Sequence, residues 1–313
     1  MKCSDSKSYD TIKGAFVEGN SVTTRKEAMF YETLPEPGMV RCSLCPHRCR
    51  IPSGGTGQCG VRKNIGGLLC ALNYEQIASI ALDPIEKKPF RRFYPGRTIL
   101  SAGTAGCNLK CPFCQNHSIS RCSMEQVKTF TLDSASLVEK AMELQPEGNI
   151  GLAFTYNEPT VWFEYVYEAA KLAKENGLCN VLVTNGYICR EPLEMLLPQI
   201  DAMNIDLKSF NSEFYRNTLK GGLEEVKSTI LASAKKCHVE ITTLVIPGVN
   251  DSKEEIGQIA SFLSAISPQI PLHLSRFFPR FEWRDKPPTP VETLYELAET
   301  ARRHLEFVYV GNV

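Results

Sequence analysis

The chain has 313 residues, 43% of them hydrophobic, with 35 lysines and arginines against 35 aspartates and glutamates. That length buries a sizeable core, as one large α/β domain or as a domain plus a small appendage, and the balanced charge carries no electrostatic signature of nucleic-acid or anionic-lipid binding. No apolar run is long enough to span a bilayer, and the start, Met1 to Asp10, is polar rather than signal-like, which predicts a soluble, cytoplasmic protein.

Residues 1–40 carry mixed charge and weak periodicity, an N-terminal extension ending in the turn signal Pro35-Glu36-Pro37-Gly38. From 41 to 70 the chain is rich in cysteine and glycine, as in Ser53-Gly54-Gly55-Thr56-Gly57, and predicts a small loop-dominated module that needs a staple. Residues 71–96 bridge to the main domain, so 41–96 form one Cys-rich module with its connector. The basic run Lys87-Lys88-Pro89-Phe90-Arg91-Arg92 in that connector reads as a solvated charged face, with contact to an acidic substrate or a phosphate as the alternative. Over 97–313, short apolar runs alternate with helical patterns. Strands are expected at 98–102, 150–155, 180–184, 202–206, 239–246 and 272–276. Helices are expected at 134–144, at 159–175 with a proline start and a stop at Gly177, and at 252–266. Asp251 or Ser252 is placed to cap the last, with Glu254 or Glu255 three residues on. Trp162, Phe163, Tyr165 and Tyr167 fall on the second helix and read as packing residues. Strands each followed by a helix or a crossover predict an α/β fold, a parallel sheet curled into a partial (β/α)6, TIM-like barrel.

Thirteen cysteines is a high count for this length, and seven fall in two tight groups. With no signal peptide, such groups point to metal or iron–sulfur ligation rather than to disulfides. Cys179 and Cys237, which open apolar runs, read instead as buried structural thiols. Cys107-x3-Cys111-x2-Cys114 directly follows the first strand of the barrel. Three thiolates on so short a loop hold three irons of a cubane and leave the fourth open to a substrate or cofactor. The alternative is zinc with a distant fourth ligand such as His117, although zinc favours paired Cys-x2-Cys knuckles. The loop also lies at the carboxyl end of a barrel strand, where active sites gather. Cys42-x2-Cys45-x3-Cys49-x9-Cys59 supplies four ligands and no open position, which suits either zinc or a second Fe–S cluster, with His47 a spare ligand.

The x3–x2 spacing, with Phe113 before the last cysteine and Gln115-Asn116 after it, resembles the radical S-adenosylmethionine (SAM) signature. The resemblance implies a [4Fe–4S] cluster on Cys107, Cys111 and Cys114, with SAM chelating the open iron through its amino and carboxylate groups. It further implies reductive cleavage of SAM to methionine and a 5′-deoxyadenosyl radical that abstracts a hydrogen atom. Phe113 stands where the superfamily contacts adenine. Glu158, Asn185, Asp206, Lys208 and His273 stand at strand ends where it holds the rest of SAM. The segment Thr155-Tyr156-Asn157-Glu158-Pro159-Thr160 is similar to the Gly-Gly-Glu-Pro-type segment that binds the SAM amino group, with Tyr156 and Asn157 in place of the glycines. A carboxylate beside an ammonium makes a charge-assisted hydrogen bond. Asp206 and Lys208 point to one side of a strand, suited to a ribose hydroxyl and a carboxylate respectively.

Asp206-Leu207-Lys208 and His273 resemble the pyruvate formate-lyase activating enzyme branch, whose aspartate before Thr-Asn-Gly is Val183 here. A resemblance over more of the chain is to the radical SAM member of the AmmeMemoRadiSam system. It runs through Cys42-Ser43-Leu44-Cys45-Pro46-His47-Arg48-Cys49, Gly57-Gln58-Cys59-Gly60-Val61-Arg62, Asp83 to Pro89, the Cys107 segment and terminal Gly311-Asn312-Val313. Members of that group run on into a tail with another cysteine pair, so a short or truncated member is expected. The resemblance implies an electron donor such as flavodoxin or ferredoxin, and an unknown protein or small-molecule substrate. A glycyl-radical-enzyme activase is the nearest rival function, and a non-catalytic metal-binding interaction protein the rival from another class.

Overall fold

The computed structural model describes residues 26–313; residues 1–25 of the N-terminal extension, Cys3 among them, lie outside it. Eight strands form one sheet: β1 (Ser79–Pro84), β2 (Thr98–Gly103), β3 (Asn149–Phe154), β4 (Cys179–Thr184), β5 (Ala202–Asp206), β6 (His238–Val245), β7 (Leu272–Arg276) and β8 (Val308–Gly311). Their order in the sheet is their order in the chain. β1 runs antiparallel to β2, and every later pair is parallel. The six expected strands are β2 to β7, found within a residue or so of their expected bounds. β1 and β8 are additions that close off the two edges.

The period-two alternation of strand side chains sorts the core into two layers. Leu100, Leu152, Leu182, Met203, Ile241 and Leu272 belong to the large outer cluster shared with the helices. Ile99, Ala153, Val181 and Ala202 turn the other way, into a separate inner cluster. The helices are α1 (Ser134–Glu143), α2 (Phe163–Glu175), α3 (Arg190–Leu196), α4 (Leu223–Ser233), α5 (Lys253–Ile266) and α6 (Val291–Arg302), besides shorter turns. Asp133 caps α1 by accepting from the Ser136 N–H at 2.8 Å, and Ser252 caps α5 by accepting from the Glu255 N–H at 3.1 Å. The Glu255 carboxylate does not reach back to complete a capping box. It accepts from the Phe210 N–H at 2.7 Å and from the Ser209 hydroxyl. Trp162, Phe163 and Tyr165 are buried around the start of α2, Trp162 stacked on Tyr165 at 4.4 Å, as packing residues should be. Cys179 and Cys237 are half-buried rather than buried, because each sits at or just before the start of a strand.

The connector corrects two expectations. Its strand β1 pairs along its whole length with β2, so a domain boundary between 96 and 97 would cut a ladder of the main sheet. Past β1 the chain folds under the barrel. Phe90 and Ile85 are fully buried against Ile99, Ala153, Val181 and Ala202 and plug the inner face near the strands' amino ends. The basic run is therefore not simply a solvated face. Lys88 is 3% exposed and ion-paired with Asp83 at 2.7 Å, because its ammonium would otherwise be buried alone. The backbone N–H groups of Arg91 and Arg92 donate to Glu240 on β6 at 2.8–3.1 Å.

The Cys-rich module also has more regular structure than a loop. Tyr31–Thr33, Val40–Cys42 and Arg50–Ile51 make one small antiparallel sheet, and Lys26–Glu27, Leu68–Ala71 and Arg62–Ile65 make another. Arg62 ties the module to α2 through a fully buried ion pair with Glu164 at 2.6 Å.

Candidate functional site

At the carboxyl ends of the strands the inner face turns polar and opens into a cavity of about 730 Å³. Residues of both edge strands, Asp83 of β1 and Val310 of β8, line it, so the open sheet has curled until its edges flank one space. The volume lies in the range of small-molecule sites, about 300–1000 Å³. Cys107, Cys111 and Cys114 all face this cavity, together with Phe113, Glu158, Asn185, Asp206, Lys208 and His273. Strand ends separated by long stretches of sequence thus bring every expected residue of the main site to one place.

The cysteine loop is set by hydrogen bonds at its root. Asn157 accepts from the Thr104 N–H at 3.1 Å and donates to the Gly106 carbonyl at 2.9 Å. Asn108 donates to the Tyr187 carbonyl at 2.7 Å and accepts from Asn185 Nδ2 at 2.9 Å. Gly106 takes φ +92°, and a Cβ there would lie 2.7 Å from Val61 and 2.8 Å from the Cys59 carbonyl oxygen. Only glycine fits that seam. Cys107 Sγ accepts from the Leu109 N–H at 3.4 Å and from Asn185 Nδ2 at 3.6 Å, donors suited to a thiolate. Burial pushes the Cys107 thiol well up, and the Cys111 thiol up to about 11 while the Lys208 ammonium pulls it down. Ligation takes the thiolate, so a bound cluster supplies the positive charge that offsets this burial. His117 does not join the set; it stacks on Phe281 at 4.6 Å, with Nδ1 3.2 Å from the Cys114 carbonyl oxygen.

The other residues divide by what already occupies them. Glu158 is 2% exposed, and both its oxygens are bonded: Oε1 to the Thr160 N–H and the Thr184 hydroxyl, Oε2 to the Asn185 N–H, at 2.7–2.9 Å. Burial raises its pKa, and those donors pull it back. Glu158 therefore braces β3 against β4 and keeps little free capacity for an ammonium. Lys208 Nζ meets Asp206 at 2.8 Å. Burial works against the ammonium, but Asp206 and Cys111 hold its pKa above the usual lysine range. An ammonium carries three donors, so two remain for an anionic ligand. His273 stacks on Tyr309 and bonds Glu240 at 2.6 Å. Burial pushes Glu240 up, yet His238, His273 and the Arg91 and Arg92 N–H groups hold it down at about 2. Phe113 packs on Trp283 with ring centroids 5.3 Å apart, one face of an aromatic wall.

Sequence reasoning missed the trio Asp83, Lys88 and Tyr156. The Tyr156 hydroxyl donates to Asp83 Oδ2 at 2.7 Å, and Lys88 Nζ lies 4.3 Å from the Tyr156 ring centre. Tyr156 holds φ +71°, a conformation glycine adopts freely and tyrosine does not. A tyrosine where a related motif carries glycine was the available signal. Val183 also lines the cavity, presenting an apolar surface.

The four N-terminal cysteines line one small cavity with His47 and Arg62. Burial pushes the Cys42 thiol up to about 11, and Cys45 and Cys59 up as well. His47 is spent on the Asn108 carbonyl at 2.7 Å. Among the described residues no three His, Cys, Asp or Glu side chains are grouped to hold a single ion. No helix among the described residues is long and apolar enough to cross a membrane.

Comparison with known proteins bears on this arrangement. The Radical SAM superfamily model matches residues 102–263. The uncharacterised protein MJ0808 of Methanocaldococcus jannaschii is 42% identical over 291 residues, covering 92% of this chain and 85% of that one. The pyruvate formate-lyase-activating enzyme of Clostridium pasteurianum is 27% identical over 167 residues, 51% of this chain and 67% of its own. Among solved structures, Streptococcus suis SuiB bound to S-adenosylmethionine superposes with a TM-score of 0.52 at 13% identity, over 66% of this chain and 48% of that chain. That likeness is one of fold. The family match covers the cysteine loop and the ends of β2 to β6, with Glu158, Asn185, Asp206 and Lys208; Asp83, His273 and Tyr309, which also line the cavity, lie outside it. The chain belongs to the Radical SAM superfamily, enzymes that use a [4Fe–4S] cluster to cleave S-adenosylmethionine reductively and take a hydrogen atom from their substrate.

Proposed function

We propose that this chain is the radical SAM member of the AmmeMemoRadiSam system, abstracting hydrogen from a substrate other than a plain glycyl radical enzyme. The convergence of Cys107, Cys111 and Cys114 with Lys208 and Asp206 on one cavity supports the hydrogen abstraction, and the sequence resemblance through Cys42–Cys49, Gly57–Arg62 and Asp83–Pro89 supports membership of that system. The cysteines hold the cluster, and the bound cofactors supply the radical. The protein's part is binding, orientation and exclusion of water. Lys208, close enough to Cys111 to influence its thiol, would hold the SAM carboxylate, with Asp206 for the ribose and Phe113 for the adenine. Asn185 orients Cys107 while facing the same space, and Glu158 sets the strand ends that the ligand rests on. His273 lines the same cavity and is the last residue proposed to hold SAM.

Relatives named as activating enzymes, such as that of Clostridium pasteurianum, support a macromolecular substrate and a one-electron donor such as flavodoxin or ferredoxin. Val183 argues against an activase in the strict sense, since the activase pattern places an aspartate there and this cavity receives an isopropyl group instead. A four-thiolate metal site at Cys42, Cys45, Cys49 and Cys59, zinc or Fe–S, completes the proposal. The expected location is the cytoplasm, where a reductant of this kind is available. Anaerobic reconstitution followed by reduction in the presence of SAM tests the central step. The wild-type chain is expected to release 5′-deoxyadenosine and Cys111→Ala none; equal, background-level release from both would remove the enzyme from consideration.

A further inference from the structure

The buried guanidinium of Arg62 has an unmet requirement. Its Nη2 donates to both oxygens of Glu164, at 2.8 and 2.6 Å. Among the described residues its Nε and Nη1 have no partner, although the side chain is 1% exposed. A buried N–H without an acceptor is destabilising, and more so on a charged group. Arg62 lines the same small cavity as Cys42, Cys45, Cys49 and Cys59, and its charge pulls the Cys42 and Cys59 thiols down. A cluster there meets that need, because cluster sulfides and thiolates accept N–H bonds and such bonds help set a cluster's potential.

The module's position supplies the second observation. Cys59 abuts Gly106, the residue before Cys107, so closely that a Cβ would sit 2.8 Å from the Cys59 carbonyl oxygen. His47 bonds the Asn108 carbonyl at 2.7 Å, and Lys110 donates to the Gln58 carbonyl at 2.7 Å. Three contacts thus join the segments that carry the two cysteine sets.

We infer that Cys42, Cys45, Cys49 and Cys59 hold a redox-active [4Fe–4S] cluster, hydrogen-bonded by Arg62, that passes electrons to the cluster on Cys107, Cys111 and Cys114; the inference rests on the radical SAM reading of that second set. One electron from a reduced ferredoxin or flavodoxin enters the N-terminal cluster and lowers its formal oxidation by one. The same electron leaves across the Cys59–Gly106 seam and reduces the acceptor cluster by one, regenerating the first. No bond breaks and no proton moves in the transfer.

Iron, sulfide and zinc per chain, with EPR at controlled potentials, test this on the anaerobically reconstituted full chain. The wild type is expected to hold about eight irons, and Cys45→Ala and Cys111→Ala about four each. The signal left in Cys111→Ala should be indifferent to SAM. Arg62→Lys keeps a cation against Glu164 but loses the fork, and should shift that signal's potential downward. Should that variant fold poorly, Arg62→Gln with Glu164→Gln removes both charges of the pair and should shift the potential the same way. About four irons plus zinc in the wild type, with no iron in Cys111→Ala, would overturn the second cluster while leaving the radical site intact. Iron unchanged by Cys111→Ala but lost in Cys45→Ala would instead remove the acceptor, and the relay with it. An unshifted potential in the Arg62 variants would overturn the hydrogen bond.

Discussion

At the scale of single residues, Lys208 and Gly106 make the clearest demands. Lys208 holds an ion pair with Asp206 and keeps two donors free beside the cluster loop. Lys208→Met is expected to weaken SAM binding about 10- to 100-fold, the worth of a charge-assisted hydrogen bond, while iron content stays at the wild-type level. Equilibrium binding of SAM to reconstituted protein measures it, and unchanged affinity would remove Lys208 from the site. Gly106→Ala pushes a methyl group into Val61 and the Cys59 carbonyl at φ +92°. A loss of about 2 kcal/mol or more is expected, read as a lower denaturant midpoint. The cysteines were legible because their chemistry is local: ligand type and spacing stand in a few consecutive residues. Asp83, Lys88 and Tyr156 were not, because Lys88 looks like any basic connector residue until Asp83 and the Tyr156 ring bury it.

At the scale of elements, β6 and the connector depend on each other through Glu240. Its carboxylate accepts from His238, His273 and the N–H groups of Arg91 and Arg92, which hold it at about 2 against burial. The folded pKa is depressed, so this stability is present above the unfolded value of 4.5 and is lost as pH falls toward 2. The difference corresponds to on the order of 3 kcal/mol. Glu240→Gln should therefore flatten the pH dependence of stability across that window, and acid titrations of the two proteins by circular dichroism compare them directly. Parallel curves would place the acid sensitivity elsewhere. The strands β2 to β7 were readable as short apolar runs, because strands buried on both faces carry little else. β1 and β8 were not, since an edge strand of four or six residues is identified by its partner rather than its composition. The inner polar ladder had the same fate: Asp206, Thr242, His273 and Tyr309 align only once the parallel register is fixed.

At the scale of the whole molecule, a curled sheet gathers a cofactor cavity at one end, a plug closes the other, and a cysteine module sits on the cluster loop. The buried Arg62–Glu164 pair fastens that module to α2; with a metal held on its four cysteines as proposed, chelation should loosen the module before the barrel. Proteolysis after treatment with a chelator is expected to cut within residues 41–70 first, whereas simultaneous loss of barrel and module would show a single cooperative unit. The module's presence was legible from its cysteines, but its docking was not, because His47, Gln58 and Arg62 find their partners 52 to 102 positions away. The central claim is that the iron left open by Cys107, Cys111 and Cys114 receives SAM. It is tested most directly by EPR of the reduced cluster in Cys45→Ala, which takes a ligand from the N-terminal set and leaves this one whole. Adding SAM should change the g values of the signal, because a new ligand on one iron alters its electronic structure. A signal identical with and without saturating SAM would contradict the account.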